Sequence, residues 1–92
     1  MIRSFKHRGL RRFFETGSVS GIQASHAKRL RLILGRLHAA GKAQDMRLPG
    51  LRLHELKGNR TATWAVDVSG NWRVTFRFDD QDAEEVNYED YH

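Results

Sequence analysis

The chain has 92 residues, 39% of them hydrophobic and 29% charged, a net charge of +5 and no cysteine. A chain of this length supports one domain, expected to span residues 1–92, and disulfides and thiolate metal sites are excluded. No apolar run exceeds that of Leu32-Ile33-Leu34, so no membrane span is expected, and the cations Arg3, Lys6, Arg8, Arg11 and Arg12 lack the apolar stretch of a secretory signal; a cytoplasmic protein is expected.

In chain order, Ile2–Phe5 reads as a short strand, followed by a helix over Lys6–Thr16 in which Leu10, Phe13 and Phe14 share one face. Gly17 stops it. After the loop Ser18-Val19-Ser20-Gly21, either Ser20 with Gln23 or Ser25 can cap a second helix reaching about Ala40. Its apolar stripe is Leu30, Ile33, Leu34 and Leu37; Gly35 within it costs about 1 kcal/mol relative to alanine, so packing must hold the helix. Gly41 ends it, and Pro49-Gly50 mark the way out of a connecting loop.

From Leu51 the period changes from 3.6 to 2. A first strand ends or bulges near Glu55, and Gly58-Asn59 turns the chain. Trp64, Val66 and Val68 then alternate with Ala65, Asp67 and Ser69. After Ser69-Gly70-Asn71, Trp72, Val74, Phe76 and Phe78 alternate with Arg73, Thr75, Arg77 and Asp79. Asp79 to Asp82 turn again, and Val86 and Tyr88 continue the inner face with Asn87, Glu89 and Tyr91 opposite. The expected fold is α+β: an N-terminal strand and two helices packed on one face of a mainly antiparallel sheet. The other face, carrying Arg52, His54, Arg73, Thr75, Arg77, Asn87 and Tyr91, is expected to be uncovered and to suit a phosphate-bearing partner.

Charge is segregated along the chain: residues 1–60 carry +11 and the remaining residues −6. The cations are mostly arginine, which grips phosphate bidentately and stacks on bases, so nucleic acid is the favoured partner. The histidines at 7, 26, 38, 54 and 92 form no helical pair and no HExxH, and GxGxxG, P-loop and nucleophile-elbow patterns are missing. No metal and no cofactor are therefore expected. His7, His26 and His38 read as surface residues.

Three elements are more specific: Leu53-His54-Glu55-Leu56-Lys57-Gly58-Asn59-Arg60, Gly70-Asn71-Trp72-Arg73-Val74-Thr75-Phe76 and Asn87-Tyr88-Glu89-Asp90-Tyr91-His92. With them the whole chain, from its opening Ile-Arg-Ser-Phe-Lys onward, resembles the HigB-type toxins of the RelE superfamily, ribosome-dependent messenger-RNA endoribonucleases of type II toxin–antitoxin pairs. The resemblance implies a RelE-like, microbial-RNase-like fold, action in the ribosomal A site, and a helix-turn-helix antitoxin of the HigA type through which the complex meets operator DNA. It places His54, Asp90, Tyr91 and His92 at positions used for cleavage, and Lys57 and Arg73 at basic active-site positions.

The chemistry selects the same residue types. Cleaving RNA without a metal needs a base for the 2′-OH, an acid for the departing 5′-oxygen and cations for the phosphorane. His54 and His92 are imidazoles suited to proton transfer near neutrality. Arg73 with Lys57 or Arg77 can hold phosphate, Tyr91 can stack on a base or donate to phosphate, and Asp90 can orient an imidazole or act as base. Which group is acid and which is base stays open. Two other readings of the same surface are a non-catalytic RNA- or ribosome-binding module and a toxin homologue serving mainly as corepressor with its antitoxin.

Overall fold

The computed structural model describes residues 1–60 and 62–91. Helix α1 (Arg8–Thr16) starts two residues later than the apolar spacing predicts because His7 occupies the cap, its Nδ1 accepting the Leu10 N–H at 3.0 Å. Gly17, at φ 82°, closes it in the left-handed conformation, its N–H returning to the Phe13 carbonyl. Helix α2 (Ala27–Ala39) is entered through a 3₁₀ turn at Ala24–His26. Neither Ser20 nor Ser25 caps it, contrary to expectation: the turn itself supplies partners, His26 N–H bonding the Gln23 carbonyl, while the Ser20 hydroxyl pairs with Ser18. Leu30, Ile33, Leu34 and Leu37 are all buried, as their spacing predicts.

The sheet has the order β1-β2-β3-β4 with every neighbour antiparallel: β1 (His54–Glu55), β2 (Trp64–Ser69), β3 (Trp72–Asp79) and β4 (Asp82–Asp90). The first strand is shorter than its alternation suggests because Arg52 sits at φ 54°, a left-handed kink that separates buried Leu51 from the paired residues. A register shift between Thr75 and Arg77, with Glu85 at φ 52°, inserts a bulge in β4 and brings Ala83, Val86 and Tyr88 all to the core. Strict alternation could not have placed Ala83 there.

That bulge also explains the N-terminus. The expected strand Ile2–Phe5 is reduced to two parallel bridges, Ile2 to Ala83 and Phe5 to Val86, on either side of the irregularity. At the irregularity itself the Glu85 N–H bonds the Ser4 hydroxyl instead. The acidic stretch flanks this seam: Arg3 pairs with Asp79 and Glu84, the Met1 ammonium with Asp82, and Lys6 with Glu85. Much of the negative charge in residues 61–92 is thus spent holding the first residues to the last strand. The helices cover one sheet face, and Leu10, Phe13, Met46, Leu51, Val66, Val74 and Phe76 join the α2 stripe in one core. Among the described residues no helix is long and apolar enough to cross a membrane.

Candidate active site

On the face away from the helices, the register aligns His54, Ala65, Thr75 and Asn87 in one row across four strands, and Asp67, Arg73 and Glu89 in the next. This face is not the open surface expected from alternation. Thr75 is 2% and Arg73 7% exposed. Two features cover them. The 56–63 segment, with a 3₁₀ turn at Gly58–Arg60, closes on itself through the Leu56 N–H to the Thr63 carbonyl and sends Arg60 to Glu89 as a two-pronged fork of 2.9 and 3.1 Å. The Tyr91 ring lies over the Arg73 guanidinium, 3.7 Å from its carbon, while Tyr91 N–H donates to the Asn71 carbonyl.

Glu89 stands at the centre. Besides the fork it accepts the Thr75 hydroxyl and the Asn87 amide, each at 3.2 Å, and lies 3.7 Å from Arg73 Nη2. The Arg60 fork, with Thr75 and the Arg73 charge adding to it, holds its carboxyl below the usual carboxylate range against the opposing effect of burial. Arg73 Nε is buried with no hydrogen-bond partner among the described residues.

An open hollow of about 390 Å³ lies beside this network, lined by His54, Glu55, Leu56, Lys57, Arg60, Arg73 and Tyr91. It brings together four of the residues singled out from the sequence: His54, Lys57, Arg73 and Tyr91. Arg77 lies elsewhere, facing Glu85 at 3.7 Å in the neighbouring hollow with Lys6 and Thr75. Asp90 pairs in register with Trp72, so strand alternation puts it on the helix-side face, opposite Glu89 and Arg73. His92 lies outside the described residues. Arg52, expected on the open face, pairs with Asp67 at 3.6 Å.

The His54 ring is held in a defined orientation. Its Nδ1 is 2.9 Å from the Arg52 carbonyl, which can only accept, so Nδ1 carries the hydrogen and the neutral ring keeps its lone pair on Nε2. The left-handed kink at Arg52 thus sets the tautomer of the histidine two residues later. The other described histidines hold the fold together: His7 caps α1, His38 Nδ1 accepts the Ile2 N–H, and His26 is not a surface residue but 7% exposed, with Nδ1 2.6 Å from the Tyr88 hydroxyl.

Two members of the network, Arg60 and Glu89, were not among the residues selected from sequence. Arg60 belongs to the Leu-Lys-Gly-Asn-Arg element, but nothing in its spacing reveals that a 3₁₀ turn returns it to β4. Glu89 was detectable in principle, being the acid that alternation sets among Asn87 and Tyr91 on the basic face.

A family model described as the RelE-like toxin of the type II toxin–antitoxin system HigB matches residues 3–92. The chain is 42% identical over 92 residues to the Endoribonuclease HigB of Proteus vulgaris, covering the whole of both proteins.

Proposed function

Because the chain belongs to the HigB-like family of RelE-like toxins of type II toxin–antitoxin systems, we propose that the hollow beside β1 is where it binds and cleaves messenger RNA on the ribosome, arresting translation until an antitoxin neutralises it. The observation that carries this reading is the juxtaposition of a histidine anchored through Nδ1, three cations and an outward-facing aromatic ring. In the proposed reaction His54 Nε2 takes the proton of a 2′-OH, whose oxygen attacks the adjacent phosphorus. The bond to the 5′-oxygen breaks, and that oxygen leaves with a proton supplied from the chain end, where the family resemblance puts Tyr91 and His92 at cleavage positions. Lys57 and Arg60 meet the non-bridging oxygens directly. Arg73, desolvated beneath Tyr91, supplies positive potential from below, and Tyr91, a residue 56% exposed, offers the outer face of its ring as a platform for a base.

The need for a ribosome follows from scale. A hollow lined by seven residues holds little more than the reacting nucleotides, so the strand must be positioned by something else, and such positioning is worth about 7–11 kcal/mol of a barrier. Membership of a type II family implies an antitoxin partner. Our fuller reading is a HigA-like helix-turn-helix protein that carries the complex to operator DNA, with the toxin acting in the cytoplasm. The test compares one mRNA, translated and naked, at nanomolar protein. Cleavage of the translated message alone, leaving 5′-hydroxyl and 2′,3′-cyclic phosphate ends, is expected. Equal cleavage of the naked RNA, or ends bearing 5′-phosphate, overturns the reading.

A further inference from the structure

We propose that Glu89 is a positioning residue of this site: it holds Arg60 and Arg73 side by side, and Arg60 so held is a phosphate ligand of the cleavage reaction. The inference rests on the RNA-cleaving reading above and adds to it the group that makes its cation cluster possible. Two guanidiniums brought to one hollow repel one another and lose hydration, and a flexible arginine on a loop has no reason to stay there. Glu89 removes both difficulties. Its carboxylate lies between the two, 2.9 and 3.1 Å from the Arg60 nitrogens and 3.7 Å from Arg73 Nη2.

The carboxylate is itself fixed. Thr75 and Asn87 donate to Oε2 from the same row of the sheet, so its rotamer is set by strand register rather than by the arginines it holds. The fork engages one N–H each of Nη1 and Nη2 of Arg60, a residue that lines the hollow, and a guanidinium has five N–H donors. The Arg60 fork ties the turn at Gly58–Arg60 to β4, so Glu89 also helps to fix the turn that follows Lys57. A carboxylate beside a phosphate site ordinarily weakens anion binding. Here the geometry assigns it a different effect, orientation of charge at the expense of affinity.

That trade separates the proposal from a purely structural ion pair. In single-turnover cleavage on saturating translating ribosomes, Glu89→Gln is expected to lower the rate about 10²-fold, the scale of a 1 Å misplacement, while the concentration giving half-saturation stays the same or falls because a negative charge has gone. Glu89→Asp should recover part of the rate. Arg60→Ala should cost a comparable factor in the wild-type background and little in the Glu89→Gln background, since a ligand already misplaced has less to lose. Thermal melting of each variant fixes the folded fraction to which rates are normalised, and Arg60→Ala, on the loop, carries the test if Glu89→Gln is unstable. A folded Glu89→Gln at wild-type rate, a loss confined to half-saturation, or losses that multiply in the double variant each overturn the proposal. Wild-type protein that cleaves nothing sinks the parent reading and this one with it; wild-type cleavage matched by Glu89→Gln sinks this one alone.

Discussion

Trp72 and Arg73 are consecutive in β3, as are Tyr88 and Glu89 in β4, yet each pair contributes to two surfaces built on opposite terms. On the helix side Trp72 and Tyr88 stack with ring centres 4.5 Å apart, His26 meets both rings, and the polar atoms are few: the Tyr88 hydroxyl accepts from the Gln23 N–H and shares a hydrogen bond with His26 Nδ1. On the other side one carboxylate serves Arg60, Arg73, Thr75 and Asn87. The first surface is what burial and satisfied hydrogen bonds produce when stability is the only demand. The second concentrates charge that folding alone would not retain, which is where a protein departs from local consistency for function.

The comparison predicts a double dissociation. His54→Ala is expected to slow cleavage by about 10²–10⁴ with an unchanged melting transition, because the ring is exposed and among the described residues bonds the carbonyl of Arg52, two residues away. A variant that cleaves normally would return the hollow to a binding role only. Phe76→Ala, at a fully buried ring two residues from Val74 in the same strand, should lower stability by about 3–5 kcal/mol, seen as an earlier urea midpoint, while any protein remaining folded retains its activity. Tyr88→Phe sharpens the contrast at smaller scale. It preserves the aromatic stack and removes only the hydroxyl between Gln23 and His26, so a loss of about 1–2 kcal/mol is expected with no change in cleavage per folded molecule.

The smallest effect concerns acid. Burial depresses the His7 imidazole below its ordinary value near ~6.5, so the folded protein resists a proton that the unfolded chain accepts. The resulting stability is complete above that value and is lost as pH falls through the depressed one. His7→Asn retains an acceptor for the Leu10 N–H and should flatten the stability profile on the acid side of neutrality. The further loss at lower pH, as Glu89 protonates through its own depressed value, should persist in both proteins. An identical slope in wild type and His7→Asn would assign the first phase to another group.

The features legible in the sequence were those with one dominant period. The α2 stripe and the Val66, Val74 and Phe76 positions follow from spacing alone, because a buried face imposes itself on each second or each third and fourth residue. Illegible were the places where one residue breaks phase. The Glu85 bulge displaces Ala83 into the core and reduces the first strand to bridges, and the Arg52 kink shortens β1. The candidate site was half legible for the same reason. Alternation put His54, Arg73 and Tyr91 on one face, but whether that face lies open depends on a turn that returns Arg60 across it and on where the chain end bends, and neither has a period.

The seam between residues 1–6 and β4 gives the molecule an order of assembly. Its bonds join positions as far as 81 residues apart, and the ring that roofs Arg73 lies one residue beyond the last strand. Contacts of such long separation close late, after the hairpins and helices that need only neighbours. A polypeptide still lacking residues 82–91 therefore has neither the edge on which its first segment rests nor the carboxylate and ring that shape the hollow. During synthesis the seam and the hollow therefore form together, once residues 82–91 have been made.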